Sequence, residues 1–136
     1  MKVWTLCALA IAIFASGCVS KYQLTVDEYA AVAHRINLGD SKEQVLAILE
    51  PTQSRLDNSD RKYPEKYYED GAFVEIYYFR SGWQDDYLNT DGEYTPYVFN
   101  DGKLVAIGWE ALGGPRFWNI RSSVGKSVIP KWWEYR

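Results

Sequence analysis

Histidine and cysteine are nearly missing from this 136-residue chain, which holds His34 alone and two cysteines, Cys7 and Cys18. With one imidazole and no thiol pair in the body of the chain, zinc sites and Ser-His-Asp or Cys-His arrangements lose most of their usual members. No metal or cofactor is expected, and His34 is not expected to act as a catalyst. Excess positive charge is also lacking: 15 Lys and Arg stand against 18 Asp and Glu, a formal charge of -3. A nucleic-acid footprint needs clustered basic residues, so a nucleic-acid partner is not expected. Long apolar runs are scarce too. The one present, residues 3–15, is shorter than the roughly 20 residues that cross a hydrocarbon layer.

That run follows Lys2 and ends in the small residues Ala15-Ser16-Gly17 before Cys18, the layout of a secretory signal rather than an anchor. Ala15-Ser16-Gly17-Cys18 resembles the lipobox of bacterial lipoproteins, with Ala15 where Leu is usual. The resemblance implies cleavage before Cys18 and lipidation of its thiol. Cys7 would leave with the signal. The remaining cysteine would be thioether-linked, so no internal disulfide is expected and stability must come from a packed core. Each buried acyl methylene is worth about 0.8 kcal/mol, and a diacyl or triacyl anchor holds nearly permanently. Removing 17 of the 136 residues leaves 119, with 14 bases and 18 acids, a size that suits one domain. Val19 follows where an inner-membrane retention signal has Asp. By resemblance to sorting in Gram-negative cells, the expected location is the outer membrane, facing the periplasm.

Residues 18–24 read as a lipidated tether. Thr25-Val26-Asp27-Glu28 has the form of a capping box, followed by Val26, Tyr29, Ala30, Ala33 and Ile36 at helical spacing, which predicts a helix over 26–36. Ser41-Lys42-Glu43-Gln44 is a second capping box, opening a short helix with Val45, Ile48 and Leu49 buried and Pro51 forcing its end. Residues 52–71 lack a period and read mostly as loop, with a short strand near Tyr67. Phe73-Val74-Glu75-Ile76-Tyr77-Tyr78-Phe79-Arg80 predicts a strand, with Val74, Ile76 and Tyr78 toward the core and the opposite face nearly as apolar. Residues 94–99 predict a second strand, whose Pro96 belongs at an edge, a strand start or a bulge. Asn100-Asp101-Gly102 makes a hairpin turn, and residues 103–109 return. Helices followed by an antiparallel meander give an α+β class, two helices on a three-stranded sheet. The domain spans 25–112, and an aromatic-rich extension follows over 113–136.

Leu38-Gly39-Asp40-Ser41-Lys42-Glu43-Gln44-Val45 with Ile48-Leu49 and Pro51, then Ile76 to Arg80 and the run from Tyr94 to Val105, resemble the SmpA/OmlA (BamE-like) family of small outer-membrane lipoproteins. They are closer still to a related group of short bacterial lipoproteins of unassigned function. The likeness covers about residues 37–109. Glu50 stands where that family has a helix-ending glycine, and the stretches 81–92 and 113–136 have no counterpart. The resemblance implies two helices on a three-stranded antiparallel sheet and a non-catalytic adaptor of an envelope protein complex, as in the machine that inserts β-barrels.

Among candidate sites, Asp85, Asp86, Asn89, Asp91, Gly92 and Glu93 suggest calcium. An EF-hand alignment, however, puts Tyr87 and Val98 at the first and last ligand positions, so both essential carboxylates are missing. A solvated loop is expected. Glu75 and Glu110 could be imagined as a glycosidase pair, but any chain with 18 acids offers such pairs. Tyr77, Tyr78 and Tyr97 are assigned to core packing. Trp83, Tyr87, Trp132 and Trp133, in loop or tail, are the candidate partner-binding residues, since aromatics are enriched at interfaces. Their partner is expected to be an envelope protein. A cell-wall glycan is the alternative, and inhibition of a periplasmic enzyme a third.

Overall fold

A computed structural model describes residues 17, 19–86 and 89–115. Helix α1 (Lys21–Ala33) and helix α2 (Lys42–Leu49) precede four strands: β1 (Glu65–Glu69), β2 (Ala72–Arg80), β3 (Tyr94–Asn100) and β4 (Lys103–Ile107). The strands form one antiparallel sheet in the order β1-β2-β3-β4. The α+β class and the two helices agree with the sequence reading; the sheet has four strands, not three. None of the described helices is long and apolar enough to cross a membrane.

Helix α1 begins at Lys21, five residues ahead of the expected start. Ser20 is its N-cap, accepting from Tyr22 N–H at 3.3 Å, so residues 21–24 are helical rather than tether. Thr25 is no cap: it lies inside the helix, fully buried, and its hydroxyl donates to the Lys21 carbonyl at 2.9 Å. Glu28 pairs with Arg55 instead of reaching back to Thr25. The inward face of α1 is Thr25, Tyr29 and Val32, while Ala30 is exposed. Helix α2 forms as its sequence predicts, with the Ser41–Gln44 capping box intact. It passes into a 3-10 turn, Glu50–Gln53, that holds Pro51 in its first turn.

Strand β1 is the short strand expected near Tyr67, and it adds a fourth member to the sheet. Its inward positions are Glu65, Tyr67 and Glu69, so an edge strand with one half-buried face presents no apolar alternation. It pairs with β2 from Glu65 opposite Ile76 to Glu69 opposite Ala72. Strand β3 is internal to the sheet, but Pro96 lies beyond its last pair with β4, Tyr97 opposite Ile107, where that flank is locally an edge. The Pro96 carbonyl accepts from Gly108 N–H at 2.8 Å, so its backbone faces the β4 side just past the end of β4. A missing N–H there removes no bond to β2.

Both sheet faces are buried. The helices cover Phe79, Tyr97, Phe99 and Leu104, which pack with Ile36, Val45 and Leu49. Val74, Ile76 and Tyr78 therefore point away from the helices, and their face is shared with Tyr94, Val98 and Leu112 beside Trp109. Alternation along β2 makes one strand serve two cores. On the helix face the Tyr29 and Tyr97 hydroxyls bond at 2.8 Å, and burial, aided by that bond, raises the Tyr97 pKa, keeping it a neutral phenol.

Candidate functional site

Hydrogen bonds sort the domain into two ends. At one, three turns meet: Asp101 N–H donates to the Phe73 carbonyl (2.9 Å), Lys42 N–H to that of Gly102 (2.8 Å) and Gly39 N–H to that of Leu104 (2.8 Å). Asp70 and Asp101 adopt positive φ (48° and 45°), each followed by a glycine that does the same, the geometry of tight hairpin turns. This three-turn end exposes Leu38 (65%) and Tyr68 (80%), the latter with its ring 4.9 Å from that of Phe73.

The other end is built around Arg80, the last residue of β2 and 3% exposed. Its guanidinium lies between two rings, 5.1 Å from the centre of Tyr22 and 4.8 Å from that of Tyr94. Nη1 donates to Glu93 at 3.0 Å; Nη2 donates to the Tyr94 hydroxyl at 2.9 Å and to Asn89 Oδ1. Glu93, itself 2% exposed, also accepts from Thr90 N–H (2.8 Å) and Gln84 N–H (3.2 Å). This buried pair thus anchors both sides of the 81–93 connection. Burial raises the Tyr94 pKa against the opposing pull of Arg80.

Helix α1 enters the same end. Lys21 bonds Asp57 (2.7 Å) and Asp60 (2.6 Å), and the Tyr22 hydroxyl donates to Asp60 at 2.9 Å. The two carboxylates raise the Lys21 pKa. Burial pushes Asp60 up, but the bonds from Lys21 and Tyr22 overcome it and hold that carboxyl below its ordinary value. Tyr22 then stacks on Trp83, centroids 6.0 Å apart and planes 18° from parallel. Beside this pair opens a cleft of about 330 Å³, with Trp83, Gln84, Asp85 and Asn89 on its walls and Arg80 and Glu93 beneath. A second cleft, about 230 Å³, lies between Arg61, Lys62 and Tyr63 and the stretch of β2 from Tyr77 to Phe79 that β1 does not reach.

Of the four aromatic candidates, Trp83 is on this surface, and Tyr87, Trp132 and Trp133 lie outside the described residues, as does Cys18. Tyr77 and Tyr97 pack on the helix face and Tyr78 on the other. His34 is the exposed C-cap of α1. Three of the six calcium candidates serve the fold: Asp91 pairs with Lys62, Glu93 with Arg80, and Asn89 accepts from Arg80 and Tyr94. No group of three potential metal ligands occurs among the described residues. Tyr22 and Arg80 are the site residues sequence reasoning missed. Arg80 had one signal, being the lone base in an apolar strand; Tyr22 had none.

No protein-family model matches the chain, and no curated protein or solved structure matches it significantly.

Proposed function

We propose that this chain is a non-enzymatic lipoprotein of the outer membrane, held by lipid on Cys18 and facing the periplasm, that serves as an adaptor for an envelope protein complex. The observation that carries the reading is the polarity of the fold about its N-terminus. Helix α1 starts at Lys21, three positions after Cys18 in the sequence, and its first residues, Lys21 and Tyr22, belong to the Arg80 end. Strand β2 spans nine residues, and at about 3.3 Å per residue it carries the three-turn end roughly 26 Å away. Leu38 and Tyr68, exposed there, are the apolar anchors an interface uses. The likeness to BamE-like lipoproteins supports the same reading.

The test is photocrosslinking in cells from position 68 or position 38 of the full chain. A defined envelope protein captured from both positions is the expected result. Capture of none, with the protein correctly located, would sink the adaptor reading.

One observation favours a second reading. The 330 Å³ cleft sets an indole beside the amides of Gln84 and Asn89 and the carboxylate of Asp85, a combination that suits a sugar ring and its hydroxyls. A cell-wall glycan binder should be retained on purified peptidoglycan and lose retention in Trp83→Ala.

A further inference from the structure

If Cys18 carries lipid, the aromatic pair at the near end has little room to avoid the bilayer. Tyr22 is four residue steps on from Cys18, a reach of at most about 14 Å fully extended, and from Lys21 onward the chain is helical and shorter still. The headgroup region on one side of a bilayer is itself roughly 5–8 Å deep. Tyr22 lies directly against Trp83, so the indole belongs to the part of the domain that the tether holds next to that layer. Val19 (59% exposed), Leu24 and Trp83 (each 37% exposed) are large apolar groups that this end leaves in water.

We propose that the Tyr22–Trp83 face is a bilayer-docking surface: the Trp83 indole and Val19 enter the interfacial layer beside the lipid on Cys18 and hold the domain upright, with its three-turn end directed into the periplasm. The proposal rests on the lipoprotein reading of Cys18. Its occupant is lipid rather than protein because the tether leaves no gap for a protein between this face and the membrane. Tryptophan suits the position, having an apolar body and a polar N–H edge that settle at headgroup level. Charge selects the kind of lipid. Lys21 is compensated by Asp57 and Asp60, Arg80 by Glu93, and Asp85 is exposed, so zwitterionic headgroups fit this end better than anionic ones. Docking would also set direction. A lipid anchor alone leaves a domain free to tumble about its tether; a second contact from Trp83 restricts the tilt.

The experiment uses the full, lipidated chain in phosphatidylethanolamine–phosphatidylcholine vesicles. Once Cys18 is modified, an introduced cysteine is the single free thiol, and a nitroxide placed through Gln84→Cys or Tyr68→Cys reports its own depth by its relative accessibility to oxygen and to a water-soluble nickel chelate. The label at 84 should favour oxygen several-fold over the label at 68. Adding Trp83→Ala should return the label at 84 to water while the protein still floats with the vesicles. Equal, water-like accessibility at 84 and 68 in a protein that floats and carries lipid on Cys18 overturns the docking surface and leaves the lipoprotein reading standing. A chain whose Cys18 proves unmodified by mass spectrometry removes both.

Discussion

The side-chain amide of Gln53 bonds the backbone of Arg80 as a neighbouring strand would: Oε1 accepts from Arg80 N–H at 2.9 Å and Nε2 donates to its carbonyl at 3.3 Å. Strand β1 pairs with β2 only as far as Ile76, so the far end of β2 lacks a strand on that flank and the 3-10 turn after α2 supplies one residue's worth. Gln53 is buried, so water cannot replace it. Replacement by Leu should strand both groups of Arg80, at about 1–3 kcal/mol for each unsatisfied group. Urea unfolding should show a lower midpoint with an unchanged slope. A loss under about 0.5 kcal/mol would mean that the sheet edge is satisfied some other way.

The Arg80–Glu93 pair predicts a strong non-additivity. Arg80→Met leaves the Glu93 carboxylate buried without its counter-charge and should cost about 3–5 kcal/mol. Glu93→Gln added to Arg80→Met should recover part of that loss, since no buried charge then remains and the amide oxygen still accepts from one of the two backbone N–H groups, Thr90 or Gln84, that bond separate oxygens of Glu93. A double-mutant cycle by chemical denaturation measures the coupling. Arg80→Lys should fall well short of the native residue, because a single ammonium cannot serve Glu93, Tyr94 and Asn89 together.

Local signals in the sequence were dependable where the physics is local. The Ser41–Gln44 box and the Asp101-Gly102 turn each need only a few adjacent residues, and both form as read. Thr25-Val26-Asp27-Glu28 carries the same signature and fails, because Ser20 offers an earlier cap and Thr25 becomes more valuable buried, where its hydroxyl bonds within the helix. Strand β1 was legible only as a short strand near Tyr67, because carboxylates occupy its other two inward positions. The Arg80 site could not be assembled from the sequence: Tyr22, Asp60, Arg80 and the Asn89–Glu93 stretch converge from four segments, and pairing across such separations leaves no mark on spacing.

The true start of α1 can be tested at its cap. Ser20→Ala should cost about 0.5–2 kcal/mol by removing an acceptor for the first free N–H groups. Thr25→Ser keeps the hydroxyl that bonds Lys21 but deletes a fully buried methyl, so it should cost roughly 1 kcal/mol through packing. A helix that began at residue 26 would show the reverse, with Ser20→Ala silent and Thr25→Ser tolerated. Thermal unfolding of the two variants distinguishes these starts.

Acid sensitivity should centre on Glu75. Its carboxylate is 1% exposed and bonds Lys42 at 2.8 Å and Lys66 at 3.2 Å. Burial alone would raise its pKa; the two ammonium groups reverse that and leave it lowered. A carboxyl whose folded pKa is lowered stabilises the protein fully above its unfolded value, near 4.3, and loses that contribution as pH falls through the folded value. Glu75→Gln should therefore be less stable than the native chain at pH 7, with the difference narrowing below about pH 4. Lys42, raised by its bond to Glu75, extends the same pair to the alkaline side: its contribution is present below its unfolded value and lost as pH rises through the folded one. Urea midpoints across the acid range give the measurement, and a gap that stays constant down to pH 3 would count against the assignment.

Trp109 closes the second core and should reveal how much of the fold depends on it. Its ring stacks on Tyr78 with centroids 5.6 Å apart, Lys62 lies 5.0 Å from its ring centre, and its Nε1–H is shared between the carbonyls of Tyr94 (2.7 Å) and Asp91 (3.0 Å). Trp109→Phe keeps the stack and removes the shared donor, which should cost about 1–2 kcal/mol. Trp109→Ala also uncovers Tyr78 and Val98 and should cost about 3 kcal/mol, the low end for a large aromatic because Trp109 is half-buried. The two losses differ in kind. Near-ultraviolet circular dichroism should stay native-like in Trp109→Phe apart from the missing indole band. In Trp109→Ala it should lose signal from Tyr78 as well, while the helix-face pair Tyr29 and Tyr97, on the other side of the sheet, stays ordered. A collapse of both cores together would show that the sheet does not insulate one face from the other.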